Sequence, residues 1–548
     1  MSTLPIVARE LRVRSRLAAT AWTRVLVAGV ALLFVVGLLL TADSSVGRNQ
    51  VGRAVFHSLS WVLFLFVLVF GVWLTHDSLS GERREGTLGL LFLTDLRALD
   101  VVLGKLTAAG LTAVYAILAV VPPLAVTLMA GGVTGGEVLR SGLALLNALF
   151  GGMSLGLWVS SRQEDESRSL MHGLGWLAVW AILPFLPDVV VAGSNYAPEQ
   201  GEISLLSPLV AHVLSQSAAY GSGADRFWIS LATVHFLSWC GIGMAAGRAR
   251  NCWRDGTREG GVNTAVKRRT SRAFKAEDDP LNWLATRHLH ARRRAWLAVL
   301  LMSLPSLTPL LYALWFNPSR APGLLAAVSY LAFLFYLIAV VMLASLVCRP
   351  IAEGRQSGLL QMLQTTPLRA SGFVEACWRG LRRIVLPPVL AFALLGAGIR
   401  LVLSMPWYGS NITFSFGGWV GVALNFAGNV LFVWALVWTG MWEATRAPKP
   451  GRAVMRTLLW VVVLPVLASM LSVFVLFRSV GFSVSFYAWI HNLIPVAVTV
   501  GVWRASERRM RTRFRQMITQ DPLARREEGP AAPGVADWIQ RARTWQAD

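Results

Sequence analysis

The residues with the most distinctive chemistry lie in a short charged segment that occurs twice in the chain. The first copy opens with Glu82 and Arg83, and the second opens at Gly354. With Gly358 aligned to Gly86, 272 residues earlier, the copies share further residues: Arg83 with Arg355, Leu91 with Leu363, Thr94 with Thr366 and Leu96 with Leu368. A polar opening, a glycine and an amphipathic run indicate a short helix that cannot bury its apolar face by itself. Two such segments at matched positions predict a pair of docking surfaces.

Catalytic and metal-binding chemistry has little support in the sequence. The histidines that could be considered as metal ligands are spread over several loops, and we predict no metal site from them: His57, His76, His172, His288 and His290. The four cysteines are too few and too scattered for a disulfide scaffold or a zinc site. No Ser-His-Asp arrangement has supporting spacing, and the acidic run at 164–166 is predicted to be a solvated turn. The sequence has no Gly-x-x-x-x-Gly-Lys-Ser/Thr motif, so we predict no ATP binding by a phosphate-binding loop.

The elements that position these segments are predicted from composition and from the lengths of the apolar runs. The chain has 548 residues, of which 55% are hydrophobic and 15% are charged. A soluble domain is about 25% charged, and this much apolar surface is incompatible with disorder. Because a membrane-spanning helix needs roughly 20 apolar residues, we predict an all-α polytopic membrane protein with about twelve spans. The predicted spans are 24–41, 55–75, 106–130, 138–160, 169–187, 226–246, 295–315, 323–347, 384–404, 417–441, 457–477 and 484–503.

The positive charge of the chain predicts its orientation in the membrane. Lys and Arg together number 51 and Asp and Glu 29, which gives a net charge of +22. Arginine-rich segments alternate along the chain with arginine-poor connections, as expected if both termini lie on the cytoplasmic side. We interpret the excess as orientation charge that attracts anionic membrane lipids, and we expect no nucleic-acid partner because no binding motif accompanies it.

The chain divides into two similar halves. Each charged segment follows the second span of a group of six, and an even number of spans gives both groups the same orientation. We therefore predict two parallel six-helix repeats with amphipathic cytoplasmic helices. The predicted divisions are a first half at 1–246, a basic cytoplasmic linker at 247–282, a second half at 283–503 and a basic cytoplasmic tail at 504–548. We call the connections at 77–105 and 349–383 the first loop and the second loop.

The two loops resemble the cytoplasmic loop of ABC-2 type permeases, the transmembrane subunits of ATP-binding-cassette exporters. In that family the loop opens with Glu-Arg-Glu-x-Gly-Thr-Leu, continues with Leu-Leu-x-Thr-Pro-Leu and ends at Gly-Lys. The first loop matches at Glu82, Arg83, Gly86, Thr87, Leu88, Leu90, Leu91, Thr94, Leu96, Gly104 and Lys105. The second loop matches at Arg355, Gly358, Leu359, Thr366, Pro367 and Leu368. Asp95 stands where the family has proline, and Gly354 and Ser357 replace acidic residues, so we expect the two loops to dock unequally.

The resemblance implies that the chain forms the translocation path of an exporter and docks two separate cytoplasmic ATPase subunits. It implies ATPase-coupling roles for Glu82, Arg83, Glu85, Gly86, Thr87, Leu90, Leu91, Thr94, Arg355, Gly358, Leu359, Thr366, Pro367 and Leu368. ATP and Mg²⁺ would be bound by the partner ATPase and no cofactor by this chain, and accessory membrane subunits are a further expectation. The expected location is a bacterial inner membrane. The sequence assigns no substrate-binding residues.

Two other classes of function are consistent with about twelve spans. A secondary transporter of the major-facilitator kind also has six plus six parallel helices, but it would need charged residues inside the spans for ion coupling. The predicted spans contain few such residues. A membrane-embedded enzyme or a structural subunit forms the third class, and no catalytic residues support it.

Overall fold

The computed structural model describes most of the predicted spans and parts of both loops. The described residues are 25, 27–33, 35–36, 48–84, 86–92, 97–164, 166–185, 187–188, 201–258, 292–303, 307, 322–356, 360, 370–403, 416–447, 450–469 and 484–519. Within these ranges the regular structure is helical and no strand occurs, which confirms the all-α prediction. The first and seventh predicted spans, the linker and the tail lie partly or wholly outside the described residues.

The helices of the first half alternate between long apolar elements and short connecting ones. They are α1 (Arg48–Thr75), α2 (Ser78–Arg84), α3 (Thr87–Phe92), α4 (Ala98–Leu118), α5 (Val121–Ala130), α6 (Gly135–Ser160), α7 (Glu166–Ile182), α8 (Pro208–Leu214) and α9 (Ser217–Arg258). A 3₁₀ turn, Ile203–Leu206, precedes α8. The connection before α9 is predicted to be external, and its short helix α8 packs against α6 and α9 with Leu209, Val210 and Leu214 buried.

The helices of the second half are longer. They are α10 (Pro322–Gln356), α11 (Ala370–Leu403), α12 (Phe416–Arg446), α13 (Pro450–Leu458) and α14 (Val484–Thr519). A π-helical turn, Leu459–Val463, continues α13, and residues 464–469 return to α-helix. Residues 292–303 are also helical.

By length and apolar composition, seven stretches of the described residues could cross a membrane. They are Asn49–Arg84, Ala98–Met129, Gly135–Ser160, Ser217–Arg250, Phe335–Arg355, Gly372–Ile399 and Pro450–Ser469. Each overlaps a span predicted from the sequence. The protein is therefore an integral, multi-pass membrane protein.

Several predicted span boundaries differ from those in the structure, and the second and third spans are examples. The second span begins at Arg48, seven residues before its predicted start, and the third begins at Ala98, eight residues early. At the start of α4, the Asp100 carboxylate accepts a hydrogen bond of 3.0 Å from the Arg97 amide. An acceptor in the first turn of a helix satisfies an amide that has no partner within the helix. The helix therefore begins with polar residues, whereas the length of the apolar run alone predicts a later start.

The helix pairs that contact each other in the first half recur in the second half. α6 contacts α1, α4, α7 and α9, and α12 correspondingly contacts α10, α11, α13 and α14. α7 packs against α1 as α13 packs against α10, and α9 packs against α4 as α14 packs against α11. The paired helices occur in the same order along the chain, so the packing supports a duplicated bundle.

The closest helix contact of the first half lies between α1 and α6 and depends on glycine. A Cβ atom on Gly71 would lie 2.8 Å from the Leu149 carbonyl oxygen, and one on Gly152 would lie 2.7 Å from the Leu68 carbonyl oxygen. Distances this short leave no space for a side chain. Small residues allow helix backbones in a membrane to touch, where van der Waals contact replaces the hydrophobic effect as the force between helices.

The two halves meet along α7. This helix contacts both α10 and α13, and α1 also reaches α10. One cluster of buried apolar side chains runs through both halves and includes Leu68 and Leu174 of the first and Leu343 and Leu436 of the second. The halves therefore share a core along this contact.

Candidate functional site

The first loop consists of two short helices that meet at a glycine. α1 ends at Thr75, a turn at 76–77 follows, and α2 and α3 lie on either side of Gly86. Gly86 is exposed and has a φ of +70°, and its amide donates a 3.2 Å hydrogen bond to the Arg83 carbonyl. A side chain disfavours this left-handed conformation, so glycine is required at the corner.

A buried ion pair connects this corner to the third span. Lys105 Nζ lies 2.9 Å from Glu82 Oε1, and the two side chains are only 8% and 11% exposed. The Thr87 hydroxyl donates to the other carboxylate oxygen of Glu82 and also bonds to the Glu82 carbonyl, 3.3 Å away. Since Glu82 lies on α2, Thr87 on α3 and Lys105 on α4, one carboxylate joins three helices. Charge-assisted bonds of this kind are about twice as strong as neutral ones.

The start of α2 is capped by a residue from the far end of α6. The backbone amides of Leu79 and Ser80 each donate a 3.0 Å hydrogen bond to Ser160 Oγ. The first amides of a helix have no partner within it, so an oxygen placed there stabilises the helix as an N-cap does. Here the cap comes from another helix, which fixes α2 against α6.

Two arginines of α2 bind the connection that follows α6. Arg83 Nη2 lies 2.7 Å from Glu164 Oε1, and Arg84 donates a 2.7 Å hydrogen bond to the Glu164 carbonyl. Arg84 also pairs with Asp77 at 2.6 Å. Glu164 is 65% exposed in the turn between α6 and α7, as the prediction of a solvated turn requires. Its two arginine partners lie about eighty residues earlier, so no local pattern shows the pairing.

The second loop starts from the same pattern but has a different structure. α10 continues through Pro350 to Gln356, whereas the corresponding part of the first loop breaks into α1 and α2. Arg355, the counterpart of Arg83, donates through Nη1 to the Thr445 carbonyl near the end of α12. In both loops, an arginine thus binds at or just after the end of the fourth predicted span of that half.

Several residues predicted to take part in coupling are not described. Glu85 and Thr94 of the first loop, and Gly358, Leu359, Thr366, Pro367 and Leu368 of the second, lie outside the described residues. Leu90 and Leu91 belong to α3 by backbone conformation. The coupling role of all of these residues stays a prediction.

A second repeated motif was missed in the sequence and becomes visible through its contacts. Residues 156–162 read Gly-Leu-Trp-Val-Ser-Ser-Arg and residues 440–446 read Gly-Met-Trp-Glu-Ala-Thr-Arg. In each copy the arginine lies over the tryptophan ring, at 4.4 Å for Arg162 and 5.6 Å for Arg446. The signal could have been found, but single matched residues are easily overlooked in a chain with 48 glycines and 23 tryptophans.

The glycines of this motif have equivalent neighbours. A Cβ atom on Gly156 would collide with the Thr75 hydroxyl and lie 2.9 Å from the Val72 carbonyl oxygen. One on Gly440 would lie 2.8 Å from Val347 Cγ1. Val347 follows Thr75 by the same 272 residues that separate the two loops.

The exposed part of the first loop combines charge with an apolar side chain. Arg84, Gly86 and Arg97 are exposed, and Leu99 is 47% exposed beside them in sequence. Lys105 and Leu88 are buried, and Glu82 is only 11% exposed and pairs with Lys105. Among the described residues, no group of three or more His, Cys, Asp or Glu side chains could hold a metal ion. The arrangement has the chemistry of a shaped docking surface.

Comparison with known families gives a match over the first half. Residues 4–248 match the family model described as "ABC-2 family transporter protein". Among curated proteins, none matches the chain.

Proposed function

Because residues 4–248 match the family model described as "ABC-2 family transporter protein", we propose that the chain is the membrane-spanning permease subunit of an ABC-type exporter. In this proposal both halves line the translocation path, and the energy comes from separate cytoplasmic ATPase subunits that bind ATP and Mg²⁺. The observation that carries it is the first loop, a glycine-cornered pair of helices with a buried ionic brace and an exposed mixed surface.

The second half takes the same role through the duplication. Its helices make the pairings of the first half, and its second loop carries Arg355 at the position of Arg83. Two loops would accommodate two ATPase subunits, one beneath each half. Both loops and both termini would then lie in the cytoplasm, as the arginine-rich segments predict for a bacterial inner membrane protein.

The contacts of the first loop suggest how movement would pass from the ATPase to the spans. Docking at the exposed corner around Gly86 would displace α2 and α3 together. Glu82 and Lys105 would carry this displacement to α4, while Ser160 and Glu164 would carry it to the end of α6. Closure of the ATPase pair on ATP would thus change the positions of two spans in each cycle, which is a coupling of two sites through packed helices.

Co-purification tests this proposal. The tagged chain, extracted in mild detergent, should bring down a P-loop ATPase, and vesicles containing both should transport only when ATP is supplied. If the chain purifies without an ATPase and its transport follows a proton gradient, the proposal is wrong and the secondary-transporter alternative is favoured.

A surface variant locates the docking site. The double substitution Arg97→Glu and Leu99→Asp changes exposed side chains of the first loop, so it should lower the amount of bound ATPase without lowering the thermal midpoint. Arg513→Glu, on the exposed surface of α14, is the matched control and should leave binding unchanged. Equal loss in both variants would place the docking surface elsewhere.

A further inference from the structure

Two arginines of the second half lie near one buried carboxylate, and the charge of a third arginine also acts on it. Glu443 lies near the end of α12 with its side chain 4% exposed. Its Oε1 is 3.9 Å from Arg446 Nη1 and its Oε2 is 3.9 Å from Arg456 Nη1 of α13. The charge of Arg509 on α14 acts on the same carboxylate. We call these four residues the arginine cluster.

The arginine cluster has more positive charge than its own acid can neutralise. The guanidinium groups of Arg446 and Arg456 lie near the carboxylate and the charge of Arg509 also acts on it, so three positive charges stand against one negative charge. Both ion-pair distances of 3.9 Å are longer than a hydrogen bond, so Glu443 does not use the donors of Arg446 and Arg456 fully. These two side chains are 44% and 49% exposed. A guanidinium presents several fixed N–H donors that fit the oxygens of a phosphate group.

The position of the cluster is that of a lipid headgroup. Arg456 immediately precedes the predicted span 457–477 and belongs to the apolar stretch Pro450–Ser469. Arg446 lies over the ring of Trp442, and tryptophan beside arginine is typical of the membrane–water interface. Long basic side chains at such a depth extend toward the headgroups. Exposed Arg508, Arg511 and Arg513 continue the positive surface along α14.

The first half has the same framework without the cluster. In the repeated motif, Val159 occupies the position of Glu443, and Arg162 occupies that of Arg446. The two copies of this motif are 284 residues apart, and this spacing places His172 at the position of Arg456. The first half thus retains one of these charged side chains, so the cluster belongs to the second half and is not a general consequence of membrane orientation.

We propose that the arginine cluster binds the phosphate of an acidic phospholipid from the leaflet on the side of the two loops. The lipid would bridge α12, α13 and α14 through Arg446, Arg456 and Arg509. It would satisfy the donors that Glu443 leaves available and would hold together the ends of three helices next to the second loop.

The experiment uses the detergent-purified full chain and follows its thermal unfolding by tryptophan fluorescence. Dioctanoyl phosphatidylglycerol should raise the midpoint in a saturable way, while dioctanoyl phosphatidylcholine and inorganic phosphate should have little effect at the same concentrations. In Arg446→Gln with Arg456→Gln, the half-saturating concentration should rise about tenfold, because hydrogen bonds to charged groups are lost. Arg162→Gln in the first half is the matched control and should keep the response of the unchanged protein.

Glu443→Gln separates lipid binding from a general loss of stability. This substitution removes the competing carboxylate and keeps the side-chain volume, so the half-saturating concentration should fall. The proposal is overturned if the double arginine variant responds like the unchanged protein, or if phosphatidylcholine gives an equal shift. A shift reproduced by inorganic phosphate would also overturn it, since the ligand would then be a free anion. None of these results depends on the ATPase.

Discussion

The first and second loops each hold an arginine against the end of a neighbouring helix, but different interactions brace them. In the first loop, Glu82 joins Thr87 and Lys105 inside the structure. At the spacing of the repeat, the corresponding residues of the second loop are Gly354, Leu359 and Cys377. None of these residues carries a charge, so the second loop has no ion pair at the three aligned positions.

The difference agrees with the energetics of buried ion pairs, in which losing one partner costs more than losing both. A carboxylate or an ammonium group left alone in an apolar environment costs several kcal/mol, whereas an apolar replacement of both is close to neutral. All members of the pair and the hydroxyl beside it differ between the loops. The first loop is held to the third span by charge, and unequal docking of the two loops stays a prediction.

The largest expected effect comes from breaking the brace on one side. Lys105→Met leaves the Glu82 carboxylate buried without its cation, and the loss of stability should be about 3–5 kcal/mol. Thermal unfolding in detergent measures it as a lowered midpoint. The double variant Glu82→Met with Lys105→Met should recover most of the loss, because no unpaired charge remains.

The corresponding substitution in the second half is the control for that comparison. Cys377→Met changes the position equivalent to Lys105 without breaking an ion pair, so its midpoint should change much less. A Lys105→Met variant as stable as the Cys377→Met variant would contradict the brace.

The next effect concerns the close contact that both halves share. Gly156→Ala places a methyl group against the backbone of Val72, and overpacking of this kind costs about 1–3 kcal/mol. Gly440→Ala should cost less, because it meets only the side-chain tip of Val347 and the Cys348 sulfur. Gly142→Ala on α6 has open space around its Cβ and should be neutral or stabilising. Equal thermal unfolding midpoints for the three variants would contradict the close helix contacts at Gly156 and Gly440.

A smaller effect is expected from the cap of α2. Ser160→Ala removes the oxygen that accepts from Leu79 and Ser80, and loss of a cap costs about 1 kcal/mol. Faster hydrogen exchange at these two amides is the direct measurement. Ser161→Ala is the matched control, since its hydroxyl bonds to the Trp158 carbonyl of its own helix and should leave the exchange of α2 unchanged.

The smallest effect on stability is expected at Arg83. Its partner Glu164 is 65% exposed, and exposed ion pairs contribute about 0–1 kcal/mol and less at high salt. Arg83→Gln should therefore leave the thermal midpoint nearly unchanged and lower the ATPase activity of the reconstituted complex. A large fall in the midpoint with normal activity would show that Arg83 is structural only.

The sequence allows the helical class and the positions of most described spans to be predicted, because apolar runs of bilayer length have few alternative structures. It does not predict that α4 begins at Ala98, since that start depends on the hydrogen bond of Asp100 to the Arg97 amide. A prediction from hydropathy excludes the polar residues of such a first turn from the helix.

For the candidate site, the repeat identifies the loops and several of their residues but not their contacts. Glu82 and Lys105 both belong to the motif, yet nothing in their spacing shows that they pair. Ser160 and Glu164 are ordinary polar residues in sequence, and only the return of α6 to α2 gives them partners. Long-range pairs of this kind depend on how the helices pack, and no local pattern in the sequence reveals that packing.

The glycine contacts constrain which parts of the molecule can move. Helices whose backbones touch, as α1 and α6 do at Gly71, Gly152 and Gly156, are expected to move as one rigid unit. Where α7 meets α13, in contrast, a Cβ on Gly451 would meet the flexible Glu166 side chain and no backbone. In the proposed exporter, a passage would therefore open by a change in angle between the halves at the contact of α7 with α13, and not by sliding of α1 along α6.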